Sequence, residues 1–290
     1  MYIMKVLFVA VFNEKSTNNS QLYALQKSGC KVVPYDFKER AKVLGNDGRD
    51  NETIRKIKEE AADVVLFSKC KGMSVNVLKA CQGVSLCCLW FMDPVNKHQW
   101  TGELLDKIRN CDVFVCDKKK AFRLGSDINP NTLRILEGYD ETVDTPYDLK
   151  KDIEVSFIGN PYDKRSEMCS LVSACVISDA YGTEHAKAVS RSKINLNFCN
   201  EGCASDRVYK VLAARGFLIS DDWSGREEIF EDGKHLVIFN GAKDLQDKVK
   251  YYLKNDLERD RISNEGLSKV QKYTRSAWAR NIVDAWRKLT

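Results

Sequence analysis

Short, continuous runs of apolar residues recur along this chain, and amphipathic stretches with helical spacing separate them. A strand with one solvated face alternates apolar and polar residues, whereas a strand covered on both faces stays apolar. The runs here do not alternate, so they predict parallel sheets with helices packed on both sides. In the first half of the sequence the predicted strands are 5–12, 31–37, 63–70, 85–93, 112–117 and 132–137.

Length and the alternation of strands with helices together predict two doubly wound α/β domains. The chain of 290 residues is long enough for about two domains of ordinary size. Helical spacing at 19–29, 51–62, 75–83 and 102–111 completes a Rossmann-like domain at 1–148. The polar, turn-rich stretch 138–152 is the best candidate for a linker.

A second Rossmann-like domain is predicted at 149–275. Its strands are expected at 153–158, 194–198, 217–220 and 236–239, and its helices include 166–175 and 244–254. A final helix within 276–290 carries Trp278, Ile282 and Trp286 at i, i+4 and i+8. These large side chains share one face of the helix, so that face must pack against the rest of the fold.

The charge balance argues against nucleic acid as a partner. Lys and Arg total 46 and Asp and Glu total 41, which gives a net charge of +5. A duplex-binding protein carries a more concentrated basic stripe, and basic and aromatic residues are not interleaved along one element here. No apolar run approaches the ~18 residues that a transmembrane helix needs, so we expect no membrane span.

Eleven cysteines predict buried, reduced thiols rather than a metal site or a disulfide framework. None forms a Cys-x-x-Cys pair, the three histidines are far apart, and most cysteines lie inside apolar runs. Reduced thiols are typical of a reducing compartment, so we expect a cytoplasmic protein. The sequence leaves the oligomeric state open, a homo-oligomer included.

Ligands of open parallel sheets bind beyond the carboxyl ends of the strands, so the loops after strands are where site residues are expected. Two such domains would face each other across a cleft. The first loop, 157–165, carries Gly159, Asn160, Lys164 and Arg165 ahead of a helix. Glycine lets the backbone approach a ligand, and basic residues before a helix suit a phosphate. The alternative is a surface loop with two solvated basic residues.

The second loop, 197–207, ends in a predicted helix over 206–215. Ser205 or Asp206 is expected to cap this helix. Arg207 lies in the first turn, where a cation opposes the helix dipole, so its position suggests an anionic partner such as a phosphate. A local ion pair of Arg207 with Asp206 or Glu201 is the alternative.

Two further loops belong to the first domain. Asp93 and His98 follow its central strand and are candidates for contacts to sugar hydroxyls or for acid–base catalysis. The alternative is a turn aspartate and a surface histidine. Asn13 and Glu14 follow the first strand and are candidates for shaping an acceptor site.

The sequence lacks motifs for several other chemistries. It contains no Gly-x-Gly-x-x-Gly, no Walker loop, and no defensible Ser-His-Asp or Cys-His arrangement. The acidic pairs at 221–222 and 227–228 do not form the Asp-x-Asp that metal-dependent transferases use. We therefore expect neither a metal ion nor another cofactor.

The order of these features along the second half carries a family resemblance. The features are Ile158-Gly159, Arg165, the strand 194–197, Arg207-Val-Tyr, the segment 213–217 and Glu231-Asp-Gly233. In this order, residues 150–285 resemble the type-B glycosyltransferases of family four. They are most similar to the compact spore-maturation (CgeB-like) subgroup, some of whose members are encoded by large DNA viruses of algae. In the first domain the resemblance rests on the architecture, on the 90–94 loop and on the turn 137–140.

The resemblance implies the GT-B fold and a retaining, metal-independent transfer of a hexose from a GDP- or UDP-sugar to a glycan or glycoprotein acceptor. The C-terminal domain would hold the nucleotide, and the final helix would cross back to the N-terminal domain. By the same resemblance Lys164, Arg165 and Arg207 would neutralise the leaving diphosphate, while Asp93 and His98 would position the sugar or acceptor. A virus-encoded member would work in the host-cell cytoplasm.

The sequence departs from this family at Lys210, where the family usually has a Glu that grips the ribose hydroxyls. Glu201 lies near the family's upstream Glu, and Glu227 or Glu228 is a candidate substitute. Two alternatives therefore stay open. One is a non-catalytic nucleotide-sugar or sugar-binding protein of the same fold, and the other is a sugar-nucleotide epimerase.

Overall fold

The computed structural model describes residues 2–162, 164–200 and 202–289. The chain divides into two compact units: unit 1 is Met1–Glu137 together with Arg275–Thr290, and unit 2 is Gly138–Thr274. The division therefore falls after residue 137 and not at the predicted 148/149. The predicted linker instead packs within unit 2, where Tyr139 N donates a hydrogen bond to Tyr273 O at 3.0 Å.

Unit 1 is built on a six-stranded parallel sheet with strand order β2-β1-β3-β4-β5-β6. Its strands are β1 (Lys5–Ala10), β2 (Lys31–Asp36), β3 (Val64–Ser68), β4 (Leu86–Phe91), β5 (Val113–Cys116) and β6 (Thr132–Arg134). Leu7 and Val9 of β1 pack into one buried cluster, and Val6 and Phe8 pack into another on the opposite face. Burial on both faces is why the strands lack an alternating pattern.

The helices that connect these strands are α1 (Asn18–Lys27), α2 (Phe37–Glu60), α3 (Val75–Lys79), α4 (Gly102–Asn110) and α5 (Lys119–Ser126). α2 begins well before the predicted segment 51–62 because the Asp36 carboxylate caps it, accepting hydrogen bonds from Lys38 N and Glu39 N, both at 3.0 Å. A break at Gly45, where φ is 71°, interrupts the helix and its apolar periodicity. α5 was not predicted.

Unit 2 is built on a five-stranded parallel sheet with strand order β11-β10-β9-β7-β8. Its strands are β7 (Ile153–Ile158), β8 (Cys175–Ile177), β9 (Ser192–Asn197), β10 (Leu218–Asp221) and β11 (Val237–Phe239). Its helices are α6 (Lys164–Leu171), α7 (Gly182–Arg191), α8 (Arg207–Ala213), α9 (Gly241–Leu253) and α10 (Asp256–Val270), with a 3-10 turn at Arg226–Glu228. Each unit is a parallel-sheet, Rossmann-like α/β fold, which confirms the predicted fold class.

The sequence did not predict β8, α7 or α10. β8 is a short edge strand in which Cys175 and Val176 are exposed, so its apolar signal is weak. α10 has a mostly polar sequence and buries the charged residue Arg259 together with Ser263 and Gly266. Burial of such residues leaves no apolar stripe from which a helix could be predicted.

The last helix, α11 (Arg275–Arg287), belongs to unit 1. Trp278 and Trp286 are both fully buried in the cluster that covers one face of the unit 1 sheet. Trp278 packs edge-to-face against Trp90 of β4, with 5.6 Å between ring centroids. No helix in the described part of the chain combines the length and the apolar character needed to cross a membrane.

Candidate functional site

The strand order of unit 2 places a crevice between β7 and β9. The connection after β7 leads to β8 on one side, and the connection after β9 leads to β10 on the other. Where the direction reverses in this way, the loops at the carboxyl edge separate and leave room for a ligand. The loop after β7 contains Gly159, and the loop after β9 leads into α8. These are the two loops that the sequence had indicated as a phosphate site.

Arg207 joins the ends of these two strands. Its Nε donates to Ile158 O at 2.7 Å, and its Nη1 donates to Asn197 Oδ1 at 3.1 Å. The local alternative was an ion pair of Arg207 with Asp206 or Glu201. Asp206 Oδ2 instead lies 2.7 Å from Lys210 Nζ, and Glu201 lies outside the described residues. Two acceptors at the sheet edge therefore fix the Arg207 guanidinium beside the crevice.

Arg165, in the first turn of α6, reaches the same place from the other loop. Its Nη2 donates to Phe198 O at 3.1 Å, and its guanidinium stacks on the Tyr162 ring at 4.4 Å. The Phe157 ring contacts both guanidiniums, with Arg207 Cζ at 4.9 Å and Arg165 Cζ at 5.8 Å from its centroid. One aromatic ring thus holds two positive charges close together.

The electrostatics of this pair favour an anion. Burial, followed by repulsion from Arg165, lowers the pKa of Arg207. Within the described ranges, which leave out residues 163 and 201, neither guanidinium forms an ion pair with a carboxylate. The charge of Asp206 offsets part of this repulsion at Arg207, and a bound anion would offset more of it. We call Arg165, Arg207, Phe157 and Gly159 the arginine pair site.

Gly159 leaves space for the Arg207 side chain. Its φ of 147° lies in a region that favours glycine, and an added Cβ would lie 2.5 Å from Arg207 Nη2. The other predicted residues of this loop, Asn160 and Lys164, are exposed, and the positive charge of Lys164 acts on Asp221. The structure thus brings Gly159, Arg165 and Arg207 together and leaves Asn160 and Lys164 at the rim.

The predicted cap of α8 is wrong. The N-cap residue is Asp206, but its side chain makes no capping hydrogen bond. Its backbone is already helical, with φ −58° and ψ −19°, whereas a capping side chain needs an extended residue. The Ser205 hydroxyl is buried without a hydrogen-bond partner in the described structure. Glu201, the other predicted donor contact, lies outside the described residues.

In unit 1, Asp93 lies beyond the carboxyl end of β4 and forms an ion pair with Lys69 at 2.6 Å. His98 is exposed; its backbone N donates to Asn96 Oδ1 at 2.9 Å, and its carbonyl accepts from Lys71 Nζ at 3.4 Å. Over the residues that the structure describes, Asp93 and His98 form no hydrogen-bonded pair. The structure therefore pairs Asp93 with a lysine that the sequence had not indicated.

The loop after β3 presents Lys69 and has an unusual backbone. Lys69 and Cys70 have φ values of 58° and 48°, a region that non-glycine residues rarely occupy. The buried Lys107 stabilises this conformation, donating to Cys70 O at 2.6 Å and to Glu103 Oε1 at 2.5 Å. A lysine on the otherwise apolar face of α4 is the signal that could have pointed to this loop.

Asn13 and Glu14, the predicted acceptor residues, are exposed in the loop after β1. Asn13 Oδ1 accepts from Lys15 N at 3.1 Å. The buried polar residue nearby is Asn18, which donates to Val11 O at 2.9 Å and accepts from Ser68 Oγ at 2.9 Å. Asn18 thus ties the loop after β1 to the end of β3, at the point where the strand order of unit 1 reverses.

Asp117 is a further carboxylate that the sequence analysis missed. It follows β5 directly, and its Oδ2 lies 2.5 Å from Lys118 Nζ. Burial is the main cause that raises its pKa to about 7; the Glu137 charge adds to the rise, and Lys118 opposes it. Among the described residues, no group of three or more His, Cys, Asp or Glu side chains could hold a metal ion.

Comparison with known proteins gives one family match and several solved structures of similar fold. Residues 142–284 match a family model described as "Glycosyl transferase-like". No curated protein matches the chain. HepE from Anabaena, solved in complex with UDP and glucose, superposes with a TM-score of 0.75 at 9% identity, covering 98% of this chain and 100% of that one.

Two further solved structures share the fold. Sucrose-phosphate synthase from Thermosynechococcus elongatus superposes with a TM-score of 0.70 at 9% identity, covering 99% of each chain. An alpha-glucosyltransferase, solved with UDP-glucose and DNA containing an abasic site, superposes with a TM-score of 0.67 at 10% identity, covering 98% of this chain and 99% of that one. At such low identity these likenesses show the fold, which is GT-B.

Proposed function

We propose that this protein is a glycosyltransferase that moves a hexose from a nucleoside-diphosphate sugar to a glycan or glycoprotein acceptor, with retention and without a metal ion. The observation that carries the proposal is the arginine pair site. The glycosyltransferase-like match over 142–284 contains both arginines. HepE and the alpha-glucosyltransferase are solved with UDP or UDP-glucose, which favours a UDP-sugar over a GDP-sugar as the donor.

The arginine pair site suits the diphosphate of such a donor. Arg207 Nε and Nη1 hold the side chain against Ile158 O and Asn197 Oδ1, which leaves Nη2, beside Gly159, to meet a phosphate oxygen. Guanidinium groups bind phosphate with directed, charge-assisted hydrogen bonds. The diphosphate would bridge the two positive charges and remove their mutual repulsion.

The same groups would assist the chemical step. As the bond between the anomeric carbon and the diphosphate oxygen breaks, its electron pair leaves with the diphosphate, whose negative charge grows. The acceptor hydroxyl oxygen bonds to the same carbon, and its proton passes to the departing diphosphate. Two fixed guanidiniums stabilise this growing charge more than they stabilise the bound donor, so they lower the barrier. In this proposal they provide the positive charge that a divalent metal supplies in other transferases.

We assign the acceptor to unit 1. Asp93 and Lys69 form a half-exposed ion pair there, with 23% and 41% of the side chains accessible. A carboxylate accepts and an ammonium donates hydrogen bonds, so the pair can hold adjacent hydroxyls of a sugar. His98, Asn13 and Glu14 stay as predicted contacts at the rim. The reduced thiols favour the cytoplasm as the place of action.

A second candidate function is donor binding without transfer. The observation that favours it is Lys210, which stands where the resembling family usually has a Glu and which forms an ion pair with Asp206 at 2.7 Å. Transfer assays distinguish the two candidates. A transferase releases UDP in proportion to the sugar gained by an acceptor, whereas a binding protein retains intact donor, and an epimerase isomerises the sugar without any acceptor.

Calorimetric titration with UDP-, GDP-, ADP- and dTDP-sugars, without added metal, tests the proposal. We expect one donor class to bind, and we expect Arg165→Ala and Arg207→Ala each to weaken that binding by about 1.5–3 kcal/mol, the scale of charge-assisted hydrogen bonds. Arg191→Ala is the control, because Arg191 is a half-exposed arginine of unit 2 that pairs with Asp152 at 2.7 Å. Equal affinity in all three variants would refute the phosphate assignment.

A further inference from the structure

Two buried polar atoms without hydrogen-bond partners lie on α7 and in the loop that leads into α8, the helix that begins at Arg207 of the arginine pair site. They are Nδ1 of His185 and Oγ of Ser205, and neither has a partner in the described structure. His185 is only 7% exposed. Buried polar atoms in native proteins nearly always have partners, so each exception calls for a ligand or a water molecule.

His185 lies within electrostatic reach of the donor site. α7 and α8 pack against each other, and the charges of Lys210, Asp206 and Arg207 all act on the imidazole. Ser205 precedes α8 by two residues, beside Asp206 and Arg207. His185 therefore belongs to the same edge of unit 2 as Arg207, on the side of α7.

The imidazole is neutral at every physiological pH. Burial is the main cause that lowers the pKa of His185 to about 3, and the positive charges of Lys210 and Arg207 lower it further. A neutral imidazole has one nitrogen that donates and one that accepts, and a serine hydroxyl can do both. Such groups do not compensate a phosphate charge, but they match a hydroxyl, which also donates and accepts.

We propose that His185 Nδ1 and Ser205 Oγ form an uncharged recognition element that hydrogen-bonds a sugar hydroxyl of the bound donor. This inference rests on the proposed function, because it takes the donor to be a nucleoside-diphosphate sugar. The hydroxyl belongs either to the ribose of the nucleotide or to the hexose that is transferred. The charged and uncharged parts of the donor would thus be recognised by separate groups.

The test is a cycle of variants against ligands, measured by calorimetry. The variants are His185→Phe, which keeps a ring but removes Nδ1, and Ser205→Ala; His185→Asn restores a polar atom near the Nδ1 position. The ligands are pyrophosphate, UDP, 2′-deoxy-UDP, 3′-deoxy-UDP and UDP-glucose. Pyrophosphate reports on the arginines alone, since it carries no hydroxyl, and so shows whether each variant keeps an intact phosphate site.

We expect His185→Phe and Ser205→Ala to bind pyrophosphate as the wild type does but to lose about five- to tenfold in affinity for UDP-glucose, the loss of one uncharged hydrogen bond. His185→Asn should recover part of this loss. If the loss also appears with UDP but vanishes with a deoxy-UDP, the hydroxyl is that of the ribose. If it appears only with UDP-glucose, the hydroxyl is that of the hexose.

Two results would overturn the inference. Unchanged affinity of both variants for UDP and UDP-glucose would mean that His185 and Ser205 do not contact the donor and hold only water. An equal loss for pyrophosphate would mean that they support the phosphate site and not a hydroxyl. Failure of the wild type to bind any nucleotide would refute the proposed function itself, a result distinct from both. Ser205→Ala keeps the test decisive if His185→Phe does not fold.

Discussion

At the residue scale, the arginine pair site shows how a small residue sets the position of a large one. Arg207 can approach the end of β7 because residue 159 has no side chain, and the two hydrogen bonds of Arg207 then fix it there. The positive charge of Arg207 is partly desolvated in the free protein, and a bound anion would compensate it. The free protein therefore holds its site ready for an anion.

Substitution of Gly159 should weaken both donor binding and folding. In Gly159→Ala the new Cβ would lie 2.5 Å from Arg207 Nη2, so the guanidinium must move away from the crevice. We expect an affinity loss for UDP-sugar comparable to that of Arg207→Ala, and a backbone strain of about 1–3 kcal/mol. Titration calorimetry and chemical unfolding measure the two effects.

Gly241→Ala is the matched control for this variant. Gly241 also has a positive φ, 78°, but an added Cβ would have no neighbour within 4 Å. The Gly241→Ala variant should lose unfolding free energy through backbone strain but should bind the donor with wild-type affinity. If both variants bind the donor equally well, Gly159 does not set the position of Arg207.

Asp117 should make stability fall as the pH rises through neutrality. Its pKa is raised to about 7 in the folded protein, against an ordinary value of 3.8, so between these values the folded state holds the proton more tightly. The resulting stabilisation is complete below the ordinary pKa and is lost as the pH rises through about 7. We expect the wild type to lose about 1 kcal/mol of unfolding free energy between pH 6 and 8 relative to Asp117→Asn.

Urea unfolding of the two proteins at several pH values measures this difference. Asp117→Asn removes the titration and keeps the size of the side chain, so other titrating groups cancel in the comparison. Parallel stability curves for the two proteins would contradict a raised pKa at Asp117.

Single residues differ in how far the sequence reveals them. Arg165, Arg207 and Gly159 could be predicted, because a strand, a glycine and a helix start leave a clear local pattern. Lys69, Asp117 and His185 could not, since their importance depends on burial and on neighbours that are distant in sequence. His185 precedes Arg207 by a full strand and a loop, and the packing of α7 on α8 brings the imidazole within reach of the charges of α8.

At the element scale, the loop between β3 and α3 shows a backbone conformation that other elements impose. Lys107 from α4 donates to Cys70 O, and Arg49 from α2 donates to Gly72 O at 2.7 Å. Two buried cations from different helices thus hold carbonyls of one loop. Lys69 lies in this loop, so the position of the proposed acceptor pair, Lys69 and Asp93, depends on side chains from α2 and α4.

Removal of the Lys107 ammonium should loosen this loop. Lys107→Met keeps the length of the side chain but removes the charged donor from Cys70 O and Glu103 Oε1. These oxygens then keep only backbone donors, Met73 N at 3.2 Å and Gly72 N at 2.7 Å. We expect a loss of about 1–3 kcal/mol in unfolding free energy, the scale of hydrogen bonds from a charged donor, together with a higher KM for the acceptor. Donor affinity should not change, because α4 belongs to unit 1.

Arg109→Ala on the same helix is the control. Arg109 is exposed and pairs with the exposed Asp106 at 2.9 Å, an interaction that contributes little. The unfolding free energy of the Arg109→Ala variant should stay within about 0.5 kcal/mol of the wild-type value. Equal behaviour of the two variants would show that Lys107 does not hold the loop.

The elements also differ in how well they could be predicted. Buried strands such as β1, β3 and β4 could be predicted from the sequence, because a strand buried on both faces has continuous apolar residues. The edge strand β8 and the polar helix α10 gave no such signal, since their stability comes from neighbours. Prediction therefore failed where tertiary contacts and not local pattern decide the structure.

At the scale of the whole molecule, unit 1 is discontinuous in sequence and unit 2 is continuous. Arg275, the first residue of α11, lies next to Glu137, the last residue of unit 1 before unit 2 begins; their side chains form an ion pair at 3.4 Å, and both are buried. Arg275 Nη1 also donates to Glu137 O. Glu137 and Arg275, the unit 1 residues that flank unit 2 in the sequence, are thus bonded to each other within unit 1.

The two units should respond separately to mutation in a calorimetric scan. Trp278→Ala removes a fully buried indole from unit 1, which typically costs about 3–5 kcal/mol. Trp223→Ala removes an 8% exposed indole from unit 2. We expect the first variant to lower one unfolding transition and the second to lower another, with UDP raising the transition of unit 2. A single transition shifted alike by both variants would contradict this division.

The order of the chain also has a consequence for biosynthesis. The ribosome makes residues 138–274 before it makes Arg275–Thr290, so every residue of unit 2 is translated while unit 1 still lacks α11. Until then, the sheet face that Trp278 and Trp286 will cover stays open on the nascent polypeptide. Domains usually complete their folding in the order of their synthesis, N-terminal first. Here the domain that starts first must finish last, and its exposed apolar face is the surface on which a chaperone would act.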